Sequence, residues 1–138
     1  MRSLTEKSVV SCFIVHGNRL LLLRRSGKVG SYKGRWGVVA GHLEKGDEAI
    51  IDRAYAEIEE EASIPKHDLT LIKQAEPFYL DAPELGVRWH IHPFLFESRT
   101  DNVTLDWEHT DHRWICPETI DQFETVPNLK YAFSLLTD

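Results

Sequence analysis

Residues 40–64, AGHLEKGDEAIIDRAYAEIEEEASI, begin as a glycine-bearing loop and continue with the period of an amphipathic helix. Ile51, Ala54, Tyr55, Ile58 and Ala62 recur at i, i+3, i+4, i+7 and i+11 and predict a helix over 48–62 with one apolar stripe. Glu57, Glu60 and Glu61 stand at i, i+3 and i+4 on another side, on average about 130° from that stripe. Such a helix lays its stripe on a core and leaves the glutamates bordering a cleft or solvent. Like charges at this spacing oppose the helix by about 0.2–0.5 kcal/mol per pair, so a cation is the natural counterpart of the cluster. Glu59 falls on a third side and reads as a solvated charge. Asp47 is placed to cap the helix, Asp47 and Glu48 put negative charge at its positive end, and Pro65 stops it.

The flanks read as strands. Ser8–Val15 is rich in β-branched and aromatic residues, His16–Arg19 is a turn, and Leu20–Arg24 is nearly all apolar, which predicts a hairpin whose second strand is covered on both faces. Trp36–Val39 is a short strand leading into the helix. After it, Leu69–Ala75, Phe78–Leu80, Val87–Phe96, Thr104–Trp107 and His112–Ile115 read as strands, with Pro93 suggesting that 87–96 is an edge or carries a bulge. Helices are predicted from Pro117 through Phe123 and over Leu129–Leu136. Strands, one acidic helix, more strands and terminal helices make the pattern of an α/β/α sandwich with a mixed sheet.

A chain of 138 residues without repeat, low-complexity tract or linker predicts one domain, residues 1–138. The net charge of −6 argues against stable binding to nucleic acid backbones, which favours basic proteins. It leaves room for an anionic small molecule, since a metal ion or a local basic loop reverses the sign of one cleft. No apolar run approaches the ~20 residues that span a bilayer, and the N-terminus lacks a secretory pattern, so a cytoplasmic location without membrane attachment is expected. Cys12 and Cys116 have no metal-ligand spacing and read as reduced thiols.

Three carboxylates on one helical side suit Mg²⁺ or Mn²⁺, with positions left open for water and phosphate. Just upstream, Arg25–Arg35 (RSGKVGSYKGR) carries Arg25, Lys28, Lys33 and Arg35 beside three glycines. It reads either as a solvated loop or as a lip that steers phosphate, and its place before the acidic helix favours the lip. Two histidine pairs, His90 with His92 and His109 with His112, are candidates for zinc or phosphate. Trp89, Tyr79 and Trp107 are candidates for stacking a base, against the commoner role of packing.

GHLEKGDEAIIDRAYAEIEEEASI resembles the Nudix box, G-x5-E-x7-R-E-U-x-E-E-x-G-U, where U is bulky and apolar. Glu57 falls on the Glu of REU, Ile58 on U, Glu60 and Glu61 on the EE pair and Ile64 on the last U. Four positions depart from the pattern. One residue is inserted, so Asp47 or Glu48 takes the first Glu position; Ala40 stands where the family often has glycine; Ser63 replaces the last Gly; and Ala56 replaces the Arg that helps orient the catalytic glutamate. Arg53, one turn before Glu57, is the residue placed to stand in for it.

The resemblance implies a metal-dependent hydrolase that cleaves a pyrophosphate bond in a nucleoside diphosphate linked to another moiety, with Mg²⁺ or Mn²⁺ as cofactor. It implies Glu57, Glu60 and Glu61 as metal ligands, with the Ala40 carbonyl completing the shell and Glu44 as a further ligand or support. It implies Glu57 or Glu108 as the base, Glu97 being a weaker candidate, and Arg25, Lys33 and Arg35 as phosphate-orienting groups. A homodimer is compatible with it. The absent Arg at 56 keeps a non-hydrolytic nucleotide-binding or sensor module as the alternative. An isoprenoid-diphosphate isomerase would need a cysteine at the cleft, and neither Cys12 nor Cys116 is placed for that.

Overall fold

The computed structural model describes residues 3–44, 46–47 and 49–137. Lys45 and Glu48 lie outside the described residues. Eight strands share one mixed sheet: β1 (Thr5–His16), β2 (Arg19–Arg25), β3 (Trp36–Gly37), β4 (Val39–His42), β5 (Leu69–Gln74), β6 (Phe78–Ala82), β7 (Val87–Ser98) and β8 (His109–Ile115). α1 (Ile50–Ala62) and the short α2 (Leu129–Ser134) lie on its two faces, as the alternation of strand residues shows. Val10, Cys12, Ile14, Leu21, Leu23, Phe94 and Phe96 pack with α1, whereas Phe13, Leu20, Leu22 and Leu95 pack with α2. The run LLLL is covered on both faces, as its lack of alternation predicts.

The β1–β2 hairpin turns through Gly17 (φ 61°) and pairs only at its closed end, Val15 with Leu20 and His16 with Arg19. Beyond that point the strands separate, and residues 36–42 enter the fork. β3 pairs with β2, and β4 pairs with β1 from Val9 to Cys12. The expected single strand at 36–39 is therefore two strands on different partners. On its other edge β1 runs parallel to β7 over Thr5–Val15, the long-range pairing that ties the two halves of the chain.

Four expectations are corrected. β7 is an interior strand, flanked by β1 on one edge and by β5 and β6 on the other. Pro93 is accommodated because its carbonyl accepts from Ala75 (3.1 Å). Its nitrogen points to that same edge, at the junction between β6 and β5, where the missing N–H breaks no ladder bond to β1. Thr104–Trp107 is irregular rather than a strand. Thr104 donates to the Ala62 carbonyl (3.1 Å) at the end of α1, so its backbone serves the helix instead of a sheet. α1 starts at Ile50 with Ala49 at the N-cap and no side-chain cap. Asp47 is engaged elsewhere, as described below. The segment from Pro117 is a 3₁₀ helix ending at Gln122.

α1 ends at Ser63, held in the left-handed region (φ 59°), where the box pattern has glycine. Its hydroxyl donates to the Thr104 carbonyl (3.0 Å). Ala54, Ile58 and Ala62 are fully buried. Truncating Ile58 to Ala would cost about 2–5 kcal/mol and loosen the helix that carries the glutamates.

Candidate active site

α1 meets the sheet at β4, and the glutamates divide by depth. Glu60 is exposed, Glu57 is 9% exposed and Glu61 is 1% exposed, among the most deeply buried large side chains. The expectation that the glutamates border a cleft or solvent holds for Glu57 and Glu60, which line the cleft, and is corrected for Glu61, which the close approach of α1 to β4 buries behind them. Gly41 makes that approach possible. A Cβ at this position would overlap the Glu57 carboxyl, so only glycine leaves it room.

Arg53 organises the loop side. Its Nε and one Nη donate to both Asp47 oxygens (3.1 and 2.9 Å), the other Nη to Glu57 Oε1 (3.4 Å), and a further bond reaches Glu44 Oε2 (3.3 Å). Asp47 Oδ2 also accepts from the Glu44 N–H (2.7 Å), which ties the loop to the guanidinium. These bonds raise the Arg53 pKa, keeping it charged, and hold the Asp47 carboxyl below its usual range. Ala56 is exposed, and the guanidinium that meets Glu57 comes from one turn earlier.

On the other side of Glu61 lies the turn 106–109. Asp106 Oδ1 accepts from the Glu108 N–H (3.2 Å) and faces His109 Nδ1 (3.1 Å). The Ser26 N–H donates to the Glu108 carbonyl (2.7 Å), which fastens this turn to the start of the basic loop. Glu61, Glu108 and His109 each bring one ligand atom within 4.8 Å of the others. Asp106 is not among the residues singled out above. Its signal is D-x-E-H, an aspartate bonding two residues on.

The site is electrostatically frustrated as it stands. Burial pushes the Glu61 carboxyl well above its usual range, and neighbouring Glu57 and Glu108 push it further. Burial raises Glu57 and Glu108 as well. Glu61 Oε2 is buried without a hydrogen-bond partner among the described residues, while Oε1 accepts from the Ala40 N–H (3.4 Å). Hard oxygen donors, one of them orphaned, fit a divalent cation.

The site opens into a cleft of about 650 Å³ whose walls include Ala40, Glu44, Glu57, Glu60 and Glu108. Of the expected phosphate-orienting groups, Arg25 lines this cleft, its Nε donating to the Ser31 carbonyl (2.9 Å). Lys33 is exposed, and Arg35 turns to the Thr125 carbonyl and Glu124, so neither stands among the lining residues. Glu97 is exposed on β7 and also absent from the lining. Trp89 lines the cleft, with Nε1 donating to the Tyr32 hydroxyl (3.3 Å) and His42 5.9 Å from its ring. Trp107 lines it too. Tyr79 instead stacks on His90 (4.5 Å) away from the lining. Cys12 is buried with its thiol pushed well up, chiefly by burial, and Cys116 is exposed.

The family model for the NUDIX domain matches residues 5–136. This chain belongs to the Nudix family. The Nudix fold is shared with solved structures across kingdoms. An Ap4A hydrolase from C. elegans, in a binary complex, is 22% identical at a TM-score of 0.77, with 93% of each chain covered. A MutT protein from Methanosarcina mazei Go1 is 23% identical at a TM-score of 0.75, covering 95% of this chain and 92% of that one. A MutT Nudix hydrolase from Burkholderia pseudomallei is 20% identical at a TM-score of 0.76, covering 96% and 99%. No curated protein sequence matches this chain. The protein is a Nudix hydrolase by family, and no helix among the described residues is long and apolar enough to cross a membrane.

Proposed function

We propose that this Nudix hydrolase cleaves a pyrophosphate linkage in a nucleoside diphosphate joined to another moiety, as a single domain and with Mg²⁺ or Mn²⁺ as cofactor. The observation that carries the reading is the orphaned, buried Glu61 oxygen beside Glu57 at the wall of a substrate-sized cleft. Glu57, Glu60, Glu61 and the Ala40 carbonyl would hold the cation, with Glu44 reinforcing Arg53. Such an ion neutralises phosphate charge and makes a bound water a better nucleophile. Glu57, steadied at Oε1 by Arg53 (3.4 Å), is the carboxylate placed to take the proton of the attacking water. Arg25 meets the phosphate oxygens from the opposite lip. Trp89 and Tyr32 offer an aromatic surface to the nucleoside.

The test is turnover across nucleotide sugars, ADP-ribose, dinucleoside polyphosphates and (deoxy)nucleoside triphosphates, with Mg²⁺ or Mn²⁺ against chelator. Metal-dependent release of a nucleoside monophosphate or phosphate is expected from at least one of them. Glu60→Gln and Glu61→Gln should each lose about 10²–10⁴-fold in kcat, the scale of positioned catalytic groups. Undiminished rates in both variants would overturn the site. Nucleotide binding without turnover on the whole panel would favour a sensor module.

A further inference from the structure

His109 has no part in the reaction as described, yet it is set at the site with unusual care. Its side chain is 1% exposed. Nδ1 lies 3.1 Å from Asp106 Oδ1, and since an ionised carboxylate only accepts, Nδ1 carries the proton and Nε2 its lone pair. Nε2 points toward the glutamates, 3.8 Å from Glu61 Oε1, beyond hydrogen-bond reach. The Nε2 lone pair thus faces a buried carboxylate oxygen, and the other oxygen of the same carboxyl, Glu61 Oε2, has no hydrogen-bond partner among the described residues. Glu108 adds a third donor from the same turn, within the 4.8 Å spread that one ion can bridge after small adjustment.

Resting on the proposed metal-dependent reading, we propose that Glu61, Glu108 and His109 form a mixed oxygen–nitrogen cation site in which His109 Nε2 is a direct ligand. The site would select a transition-metal ion such as Mn²⁺ over Mg²⁺. A histidine that ligates through one nitrogen usually donates its other N–H to a carboxylate, which fixes tautomer and ring angle, and Asp106 does this here. Imidazole is a good ligand for first-row transition ions and a poor one for Mg²⁺, which prefers oxygen and retains its water. The acidic residue of the turn is therefore a ligand rather than a base. The turn itself is the supporting device: Asp106 orders it, and the Ser26–Glu108 backbone bond couples it to the Arg25 lip.

The experiment is pulsed electron paramagnetic resonance on the full chain loaded with Mn²⁺, with Mn²⁺ and Mg²⁺ affinities measured in parallel. Nitrogen modulation from a bound imidazole is expected in the wild-type protein. His109→Gln should abolish it and weaken Mn²⁺ binding at least tenfold, with Mg²⁺ affinity changed less than about threefold. His42→Gln and His112→Gln should retain it, and they keep the assignment testable if His109→Gln folds poorly. Mn²⁺ bound to the wild type without nitrogen modulation, or modulation that survives in His109→Gln, overturns this inference alone. Failure of the wild type to bind either ion overturns the metal-dependent reading beneath it.

Discussion

The cleft has two walls of opposite origin. The acidic wall comes from one helix and its entry loop: Arg53, Glu57, Glu60 and, behind them, Glu61. The aromatic wall is gathered from distant segments: Lys7 and Val9 on β1, Trp89 and Ile91 on β7, Phe78 and Leu80 on β6, and Tyr32 from the basic loop. The first is short-range and polar, with its charges set by helix periodicity. The second exists only because β1 and β7 pair in parallel across more than seventy residues, Lys7 opposite Trp89 and Val9 opposite Ile91. On the proposed reading, the chemistry that many substrates share would sit on the wall of local origin, and substrate discrimination would fall to the wall that long-range pairing builds.

Four measurements would break or sharpen that contrast. Gly41→Ala should have the largest effect. Its Cβ displaces the Glu57 carboxyl, and a shift of about 1 Å at reacting groups costs about 100-fold in rate. A kcat within a few-fold of wild type would show that Glu57 is not placed by this contact. Arg53→Ala should lower kcat by about 10–100-fold, the usual scale for a group that orients a ligand, while KM changes less. If KM alone rises, Arg53 binds substrate rather than positioning Glu57.

On the other wall, Trp89→Ala should raise KM about tenfold with kcat nearly kept, as loss of one stacking surface worth about 1–3 kcal/mol predicts. A fall in kcat of the same size would erase the division between the walls. The smallest effect concerns stability. Burial holds the folded-state pKa of Glu61 above its unfolded value, so protonation favours the folded protein. That contribution is complete below the unfolded glutamate pKa, about 4.3, and is lost as pH rises through the raised folded value. Metal-free Glu61→Gln, which does not titrate here, should match wild type in melting temperature near pH 4 and exceed it by several degrees near pH 8, on the order of 1–2 kcal/mol. A gap that does not grow with pH would contradict the burial of this charge.

How legible the molecule was in its residues depends on distance along the chain. The hairpin, the two-sided burial of Leu20–Leu23 and the apolar stripe of α1 follow from neighbours within one turn or one strand. Arg53 was legible as the partner of Glu57 for the same reason, four residues apart on one helix. Pro93 misled because its tolerance depends on where β5 and β6 meet against β7. Thr104 misled because its N–H serves a helix end more than forty residues earlier in the chain. Lys33 and Arg35 share the charge and the loop of Arg25, but which of the three reaches the cleft is decided by how that loop folds back.

Periodicity alone therefore determined the glutamate constellation, the helix that bears it and the mixed α/β/α class, because these rest on spacings of two, three and four residues. Burial of Glu61, the role of Asp106 and the placement of His109 were decided only in three dimensions. They depend on a loop from residue 106 onward docking against a helix that ends at Ala62. No pattern within either segment encodes that meeting, since its energy comes from the core both sides share.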